Sequence, residues 1–400
     1  MAAQFETAGY RIVKNQPVCD VAIINTCTIT HGAERDCARQ ARRLRREGAR
    51  IVILAGCAVE HNGEALKAQT GADLVANQTD KFRLIELLHG PNGIVPAPDL
   101  CEAHAADHAI PPRFSSVRAL VKAQDGCNFR CSYCIVPDTR GNPQSRSLEA
   151  ILEDTQALAA KGFREITITG ANIGCYRDGK RGLVDLLAAV EAIEGIERIR
   201  ISSIESTTAE RDVIAFMSTS TKLCHCLHLP LQSGDDATLA RMKRRYTSSE
   251  YRDVVTYAMS RIPDLGLGAD IIVGFPGETQ SAFENTLALV RDLPFSNLHI
   301  FSYSQREGTP AASLPDQVDS TTKKERSELL IALGRAKRAA FAKSFIGKPT
   351  TVLVEHINPT GAACGWSDQY LPVQLEQSPV KKNDIVTFIP IRVEGDTLIG

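Results

Sequence analysis

Cys127, Cys131 and Cys134 stand in the run Cys127-Asn128-Phe129-Arg130-Cys131-Ser132-Tyr133-Cys134. The spacing C-x3-C-x2-C puts three thiolates on one short loop, enough to hold three irons of a cubane iron–sulfur cluster and leave the fourth iron open. A structural zinc ion is the competing occupant. It would want a fourth ligand nearby, and the next cysteine, Cys175, is far along the chain. The chain holds 12 cysteines in 400 residues. Met1–Glu6 has neither a basic flank nor an apolar core, so no secretory signal is expected and the reducing cytoplasm is the expected compartment. There, clustered cysteines bind metal or do redox chemistry more often than they pair.

The remaining composition narrows the field. Lys and Arg number 46 against 47 Asp and Glu, a net charge of −1. Total charge therefore does not point to nucleic acid, and any such signal must be local. Hydrophobic residues at 43% and charged ones at 23% exclude a disordered chain. No apolar run reaches the roughly 18–20 residues a membrane helix needs.

Three regions position these cysteines. In the first, apolar runs at Val21–Ile24, Ile51–Leu54 and Ala72–Val75 alternate with helical stretches, one from about Gly32 to Glu47. Such runs predict a parallel α/β sheet, with Cys27 and Cys57 just past the carboxyl ends of two strands. In the second, strands are predicted at Val117–Lys122, Glu165–Thr169, Arg198–Ser203, Cys224–Leu229, Gly268–Val273 and Leu298–Ser302. Amphipathic stretches such as Leu148–Lys161, Leu183–Ile193, Ser248–Ser260 and Gln280–Leu293 separate them. Six βα units predict an open or closed barrel of parallel strands, with sites where strands end. In the third, Thr350–Glu355, Leu371–Leu375 and Ile385–Ile389 read as short strands of a small β-barrel. The expected fold class is therefore α/β with a C-terminal β domain. The expected boundaries are 1–95, a proline-rich linker at 96–113, a barrel at 114–346 and the β domain at 347–400.

The cysteine loop resembles that of the radical S-adenosylmethionine superfamily. There the open iron chelates the cofactor's amino and carboxyl groups, and reductive cleavage yields a 5′-deoxyadenosyl radical that abstracts hydrogen. Collinear motifs sharpen the resemblance. They are Asn25-Thr26-Cys27-Thr28, Ala55-Gly56-Cys57, Cys134-Ile135-Val136-Pro137, Arg140-Gly141 with Ser145-Arg146, and His228-Leu229-Pro230-Leu231-Gln232-Ser233-Gly234. Asp270-Ile271-Ile272-Val273-Gly274-Phe275-Pro276-Gly277-Glu278 follows, then Tyr303-Ser304, Arg306 and Gly308-Thr309-Pro310-Ala311. From about residue 5 to its end the chain resembles the methylthiotransferases. That implies an N-terminal cluster domain, a partial (β/α)6 radical barrel and a TRAM-like β domain. Asn25-Thr26-Cys27-Thr28-Ile29-Thr30, Ala33, Arg39-Gln40, Arg42-Arg43 and Ser202-Ser203-Ile204-Glu205 most resemble the branch acting on tRNA threonylcarbamoyladenosine.

The resemblance implies conversion of an adenine C2–H beside the anticodon to C2–SCH3. One S-adenosylmethionine supplies the radical and a second the methyl group. Two 4Fe-4S clusters are the implied metal cofactors. The implied partners are a tRNA anticodon stem-loop, an electron donor and a sulfur source, with no membrane and a monomeric enzyme. The same chemistry on isopentenyladenosine or on a ribosomal-protein aspartate stays open, as does a truncated tRNA-binding form without turnover.

By the same resemblance, Cys127, Cys131 and Cys134 bind the radical cluster, and Cys27 and Cys57 bind the second. The family's third ligand to that second cluster lies upstream, in a Gly-Cys-x-x-Asn segment this sequence lacks. It begins inside the helix that would follow, at Ala3–Tyr10. A misassigned start is the expected cause, with true truncation or substitution by Cys19 or Cys37 as alternatives. Gly170 would let the backbone approach the cofactor's amino group, or is a turn glycine. Gln232 and Ser233 would bond its ribose or carboxylate, or cap a loop. Glu278 would orient the adenosine, or serve the next helix's N-terminus. Glu205 and Arg306 are expected at the barrel mouth. Arg140 and Arg146 would hold a carboxylate of cofactor or substrate. Between these two arginines Asn142-Pro143-Gln144 replaces a more charged family stretch, which leaves the contacts there open. Cys101, Cys175, Cys224, Cys226 and Cys364 are expected as packed thiols.

Three basic runs are the local nucleic-acid signals. Arg39, Arg42, Arg43 and Arg46 recur on one helix face and are the expected RNA-binding residues. Arg241, Lys243, Arg244 and Arg245 form a second run. Lys323, Lys324, Arg326, Arg335, Lys337 and Arg338 form a third. Trp366 and Tyr370 in the β domain would stack on bases or fill its core.

Overall fold

The computed structural model describes residues 1–13, 18–28, 30–89, 117–207, 210–376 and 379–400. The expected linker at 96–113 and Cys101 lie outside the described residues. The chain divides into two compact units. One comprises Met1–Arg113, Tyr133–Gly141 and Ser304–Ala312. The other comprises Phe114–Ser132, Asn142–Tyr303 and Ser313–Gly400.

The first unit is a three-stranded parallel sheet of β1 (Val21–Thr26), β2 (Ile51–Gly56) and β3 (Leu74–Ala76), in that order. Its helices are α1 (Ala2–Thr7), α2 (His31–Arg46), α3 (Cys57–Thr70), α4 (Leu84–His89) and α5 (Val136–Arg140). The unbroken apolar run of β2 has a packing cause. Val52 and Leu54 join Ala22, Ile24, Ala41 and Leu66 on one face, and Ile53 and Ala55 join Phe5, Leu84 and Leu88 on the other. A strand covered on both faces needs apolar residues at every position. Thr30 caps α2 by accepting the Ala33 N–H at 3.1 Å.

The second unit holds β4 (Arg118–Lys122), a short hairpin of β5 (Gln124–Asp125) and β6 (Gln144–Ser145), then β7 (Glu165–Thr169), β8 (Arg198–Ile201), β9 (Cys226–His228), β10 (Gly266–Val273) and β11 (Asn297–Ser302). Two parallel sheets, β4-β7-β8 and β9-β10-β11, are joined by a parallel bridge between Ile199 and Leu223. This gives the six-stranded partial barrel. Helices α6 (Leu148–Ala160), α7 (Leu183–Glu191), α8 (Glu210–Met217), α9 (Asp236–Arg241), α10 (Ser248–Arg261), α11 (Gln280–Asp292) and α12 (Ser320–Lys343) complete the unit. Alternate strand residues, among them Ile166, Ile168, Ile199, Leu227, Leu267, Ala269 and Ile271, pack against the helices in one large core. The residues between them, Glu165, Arg198, Arg200, His228, Asp270 and His299, take the opposite face, so the barrel interior is polar.

The same unit carries a curled mixed sheet of β12 (Thr350–Ile357), β13 (Ala363–Ser367), β14 (Pro372–Leu375), β15 (Ile385–Phe388), β16 (Arg392–Glu394) and β17 (Thr397–Ile399). Their order is β15-β12-β13-β14-β17-β16. A buried ionic seam joins it to the barrel strands. Glu165, fully buried, pairs with Arg198 at 3.1 Å and Arg200 at 2.8 Å. Those guanidinium groups donate onward to the carbonyls of Trp366 (3.3 Å), Ser367 (2.7 Å) and Asp368 (3.0 Å). Among the described residues, no helix is long and apolar enough to cross a membrane.

Candidate functional site

The triplet loop begins where β4 meets the β5–β6 hairpin. Gln124, 1% exposed, donates from its amide to the carbonyls of Asp125 and Gly126, both at 2.7 Å, and accepts the Asn172 N–H at 2.9 Å. One side chain thus ties the entrance of the cysteine loop to the carboxyl end of β7. Gly170 makes that tie possible. A Cβ there would stand 2.8 Å from Gln124 Oε1 and 3.2 Å from its carbonyl oxygen. Its backbone is outside the left-handed region, so the turn-glycine alternative does not apply.

Farther along, Ser132 hydrogen-bonds the carbonyls of Met242 (3.0 Å) and Arg241 (2.8 Å). Arg244, buried, donates to Cys131 Sγ at 3.3 Å and to Tyr246 Oη at 3.2 Å, and pairs with the Glu205 carboxylate. Burial pushes the Cys131 thiol up, and the adjacent Arg244 cation opposes that rise. Arg245 donates to the Asn128 carbonyl at 3.3 Å and lies 4.5 Å over the Phe129 ring. Arg241 donates to the Gly277 carbonyl at 2.8 Å. Arg241, Arg244 and Arg245 of the second basic run therefore hold this loop and its surroundings, while Lys243 is exposed. The third is largely used internally as well. Arg326 grips Glu278, Lys337 donates to the Arg291 carbonyl, and Arg338 binds Asp396.

Several buried polar atoms past the strand ends have no hydrogen-bond partner among the described residues: Asn172 Oδ1 after β7, Ser202 Oγ and Ser206 Oγ after β8, and Glu278 Oε1 after β10. Buried polar groups are ordinarily paired. Unpaired atoms beyond strand ends fit a polar cofactor, and the Asn172 amide approaches Cys127 Sγ at 3.9 Å. Glu278 is otherwise engaged, accepting the Gly274 N–H and Arg326 Nη1, each at 2.6 Å. Gln232 adopts φ +63°, a strained value for its type, and its backbone bonds Asp270 and Ile272. Ser233, fully buried, bonds Thr286 Oγ1 at 3.2 Å and accepts the Asp235 N–H. Arg146 is held by Asp154 at 2.7 Å and by the carbonyls of Lys122 and Ala150.

In the first unit, Thr26 and Gly56 are register partners, so Cys27 and Cys57 follow side by side at neighbouring strand ends. Cys57 Sγ accepts from Gln78 Nε2 at 2.8 Å and from Arg140 Nε at 3.3 Å. Arg140 thus stands at Cys57. Arg306 is buried and binds Glu34 at 2.7 Å and the Thr28 hydroxyl, bracing the loop that carries Cys27. Cys19 and Cys37 pack against the apolar cluster of this sheet. On α2, Arg39, Arg42, Arg43 and Arg46 are exposed. Among the described residues, Arg39 pairs with Asp36 and Arg43 with Glu47, both on the helix's own surface.

Comparison with known proteins gives the class to which this fold belongs. Residues 121–290 match the radical SAM superfamily and residues 1–77 match uncharacterized protein family UPF0004. The chain is 32% identical, over 92% of its length and 85% of the relative's, to the threonylcarbamoyladenosine tRNA methylthiotransferase MtaB of Bacillus subtilis (strain 168). Among solved structures it resembles the radical S-adenosylmethionine methyltransferase TsrM of Kitasatospora setae with cobalamin and a [4Fe-4S] cluster bound. The TM-score is 0.56 at 14% identity, covering 78% of this chain and 68% of that one. TsrM with tryptophan and a cofactor analogue gives a TM-score of 0.54 at 13% identity, covering 78% and 66%. These likenesses show the fold. The chain belongs to the radical S-adenosylmethionine methylthiotransferase family. It is an enzyme of that class, with S-adenosylmethionine and two 4Fe-4S clusters as its cofactors.

Sequence reasoning missed Gln124, Asn172 and Gln78, and read Arg244 only as part of a basic run. Each acts on a residue distant in the chain. The one available signal was the density of arginines in Arg241–Arg245, which also fits a surface face.

Proposed function

We propose that this enzyme acts on tRNA, converting N6-threonylcarbamoyladenosine next to the anticodon to its 2-methylthio derivative in the cytoplasm. The observation that supports this reading best is the 32% identity to the curated relative across both matched regions. In this reading Cys127, Cys131 and Cys134 hold the radical cluster, and Cys27 and Cys57 hold the second. When bound, the radical cluster supplies reductive cleavage of S-adenosylmethionine to an adenosyl radical. Arg244 places a fixed positive charge at Cys131 Sγ, while Gln124 sets the backbone before Cys127. Gln78 and Arg140 offer hydrogen bonds to Cys57 Sγ, the kind that tunes a cluster ligand. Gly170, Glu205, Gln232, Ser233 and Glu278 lie past strand ends, where a cofactor would seat. Arg146, braced by its own partners, supports the same rim. The arginine face of α2 takes the RNA backbone. An electron donor and a sulfur source complete the reaction.

The test is expression in a strain lacking the activity, followed by mass spectrometry of tRNA nucleosides. The reading expects 2-methylthio-threonylcarbamoyladenosine to appear. Its absence from cells carrying iron-replete protein, or methylthiolation of isopentenyladenosine instead, overturns it.

A further inference from the structure

On three adjacent barrel strands, His228, Asp270 and His299 turn to the interior face, and their ligand atoms lie within 4.8 Å of one another. His228 Nε2 is 3.0 Å and His299 Nδ1 3.1 Å from Asp270 Oδ1. Two histidines and a carboxylate so close suggest a metal site. The outer partners decide against it. Arg338 Nη1 donates to Asn297 Oδ1 at 3.0 Å, which fixes the amide so that its nitrogen faces His299 Nε2 at 3.1 Å. An N–H aimed at Nε2 makes that nitrogen the acceptor and leaves the ring proton on Nδ1. Nδ1 then has no lone pair for an ion, and its N–H points at Asp270. The chain of donors runs one way, Arg338 to Asn297 to His299 to Asp270. Its origin is anchored in the β domain: Arg338 also pairs with Asp396 and donates to the Tyr370 carbonyl at 3.4 Å.

We propose that His299 is a positioning residue, held in its Nδ1–H tautomer by Asn297 and Arg338, and that it aims the Asp270 carboxylate into the barrel interior. The relay makes the barrel interior sensitive to the seating of the C-terminal β domain. His228 stacks on His299 with ring centroids 5.0 Å apart. It fits because Gly268 has no side chain, since a Cβ there would meet His228 Nδ1 at 2.6 Å. Asp270 Oδ1 therefore meets an imidazole from each neighbouring strand.

Substitution can ask which ring nitrogen matters. Asparagine places an amide nitrogen near where Nδ1 stands, and glutamine near where Nε2 stands. His299→Asn should therefore keep methylthiolation within about threefold of the parent. His299→Gln should lower kcat/KM by roughly tenfold or more, the scale of one hydrogen bond to a charged group. Both comparisons need equal iron content and equal melting temperature. Ring-nitrogen NMR of the reconstituted protein, with clusters oxidised and 15N-labelled histidine, supplies a readout independent of turnover. The His299 signals, assigned by difference against His299→Gln, should report Nδ1–H. They should move toward Nε2–H in Asn297→Ala. Equal damage from the Asn and Gln variants, or an unchanged tautomer in Asn297→Ala, overturns the proposal.

Discussion

Gly170 shows how much one missing methyl can hold. A Cβ on it would strike Gln124, and Gln124 grips the two carbonyls that lead into Cys127. Gly170→Ala should displace that side chain and cost about 1–3 kcal/mol, as overpacking does. A melt should show the loss, and the purified protein should retain less iron. A variant with parental melting temperature and iron would refute this account. Asp270 makes a prediction in pH. Burial works to raise its carboxyl, but the two imidazoles outweigh burial and hold it well below the usual carboxylate range. A depressed carboxyl contributes stability above its unfolded pKa of about 3.9, and that stability is lost as pH falls through the lower folded value. Asp270→Asn should therefore flatten the fall in urea midpoint below about pH 4, measured against the parent at matched pH. The cysteine triplet is a motif of local spacing, which the sequence alone displays. The side chains packed around its loop are not displayed in that way. Arg244 meets Glu205, and Gln124 meets Asn172, only after the barrel has closed.

At the scale of elements, the parallel strands were legible almost to the residue, since apolar runs between amphipathic stretches leave few alternatives. Glu165–Thr169 appears as expected, and Gly268–Val273 begins two residues earlier, at Gly266. What escaped was β13, whose Ala-Cys-Gly-Trp-Ser run carries no apolar stretch, the three-residue strands β16 and β17, and the hairpin of β5 and β6. The long helix α12 escaped as well, because its charged residues are partly turned inward: Arg326 is buried against Glu278. The inner faces of β7 and β8 carry the clearest energetic test. Glu165 is the buried counter-charge of both Arg198 and Arg200. Removing one member of a buried pair leaves an uncompensated charge, at a cost of about 3–5 kcal/mol. Glu165→Ala should lower unfolding stability by that amount in urea titrations. A change below about 1 kcal/mol would mean the guanidinium groups find other partners.

Over the whole molecule, a net charge of −1 conceals a sharp local asymmetry. Of three basic runs, two are consumed mainly in holding the fold, and the face of α2 remains exposed. Substituting Arg39, Arg42, Arg43 and Arg46 with glutamine should weaken tRNA binding. It should also shrink the slope of log affinity against log salt by about 0.7–0.9 for each phosphate that the protein ceases to neutralise. Melting temperature should stay put, because these side chains bury nothing. An unchanged salt slope would move the RNA-binding face elsewhere. The chain's sole tryptophan, Trp366, stacks on Tyr370 with centroids 4.6 Å apart. Arg118 lies 5.9 Å from the indole ring, and the Trp366 carbonyl is held by Arg198. It stands on the seam between barrel and β domain, so the enzyme carries its own optical gauge. Ultraviolet excitation at the red edge reads this one indole alone, and its emission will redden when the seam opens, whether or not the rest of the barrel has begun to unfold.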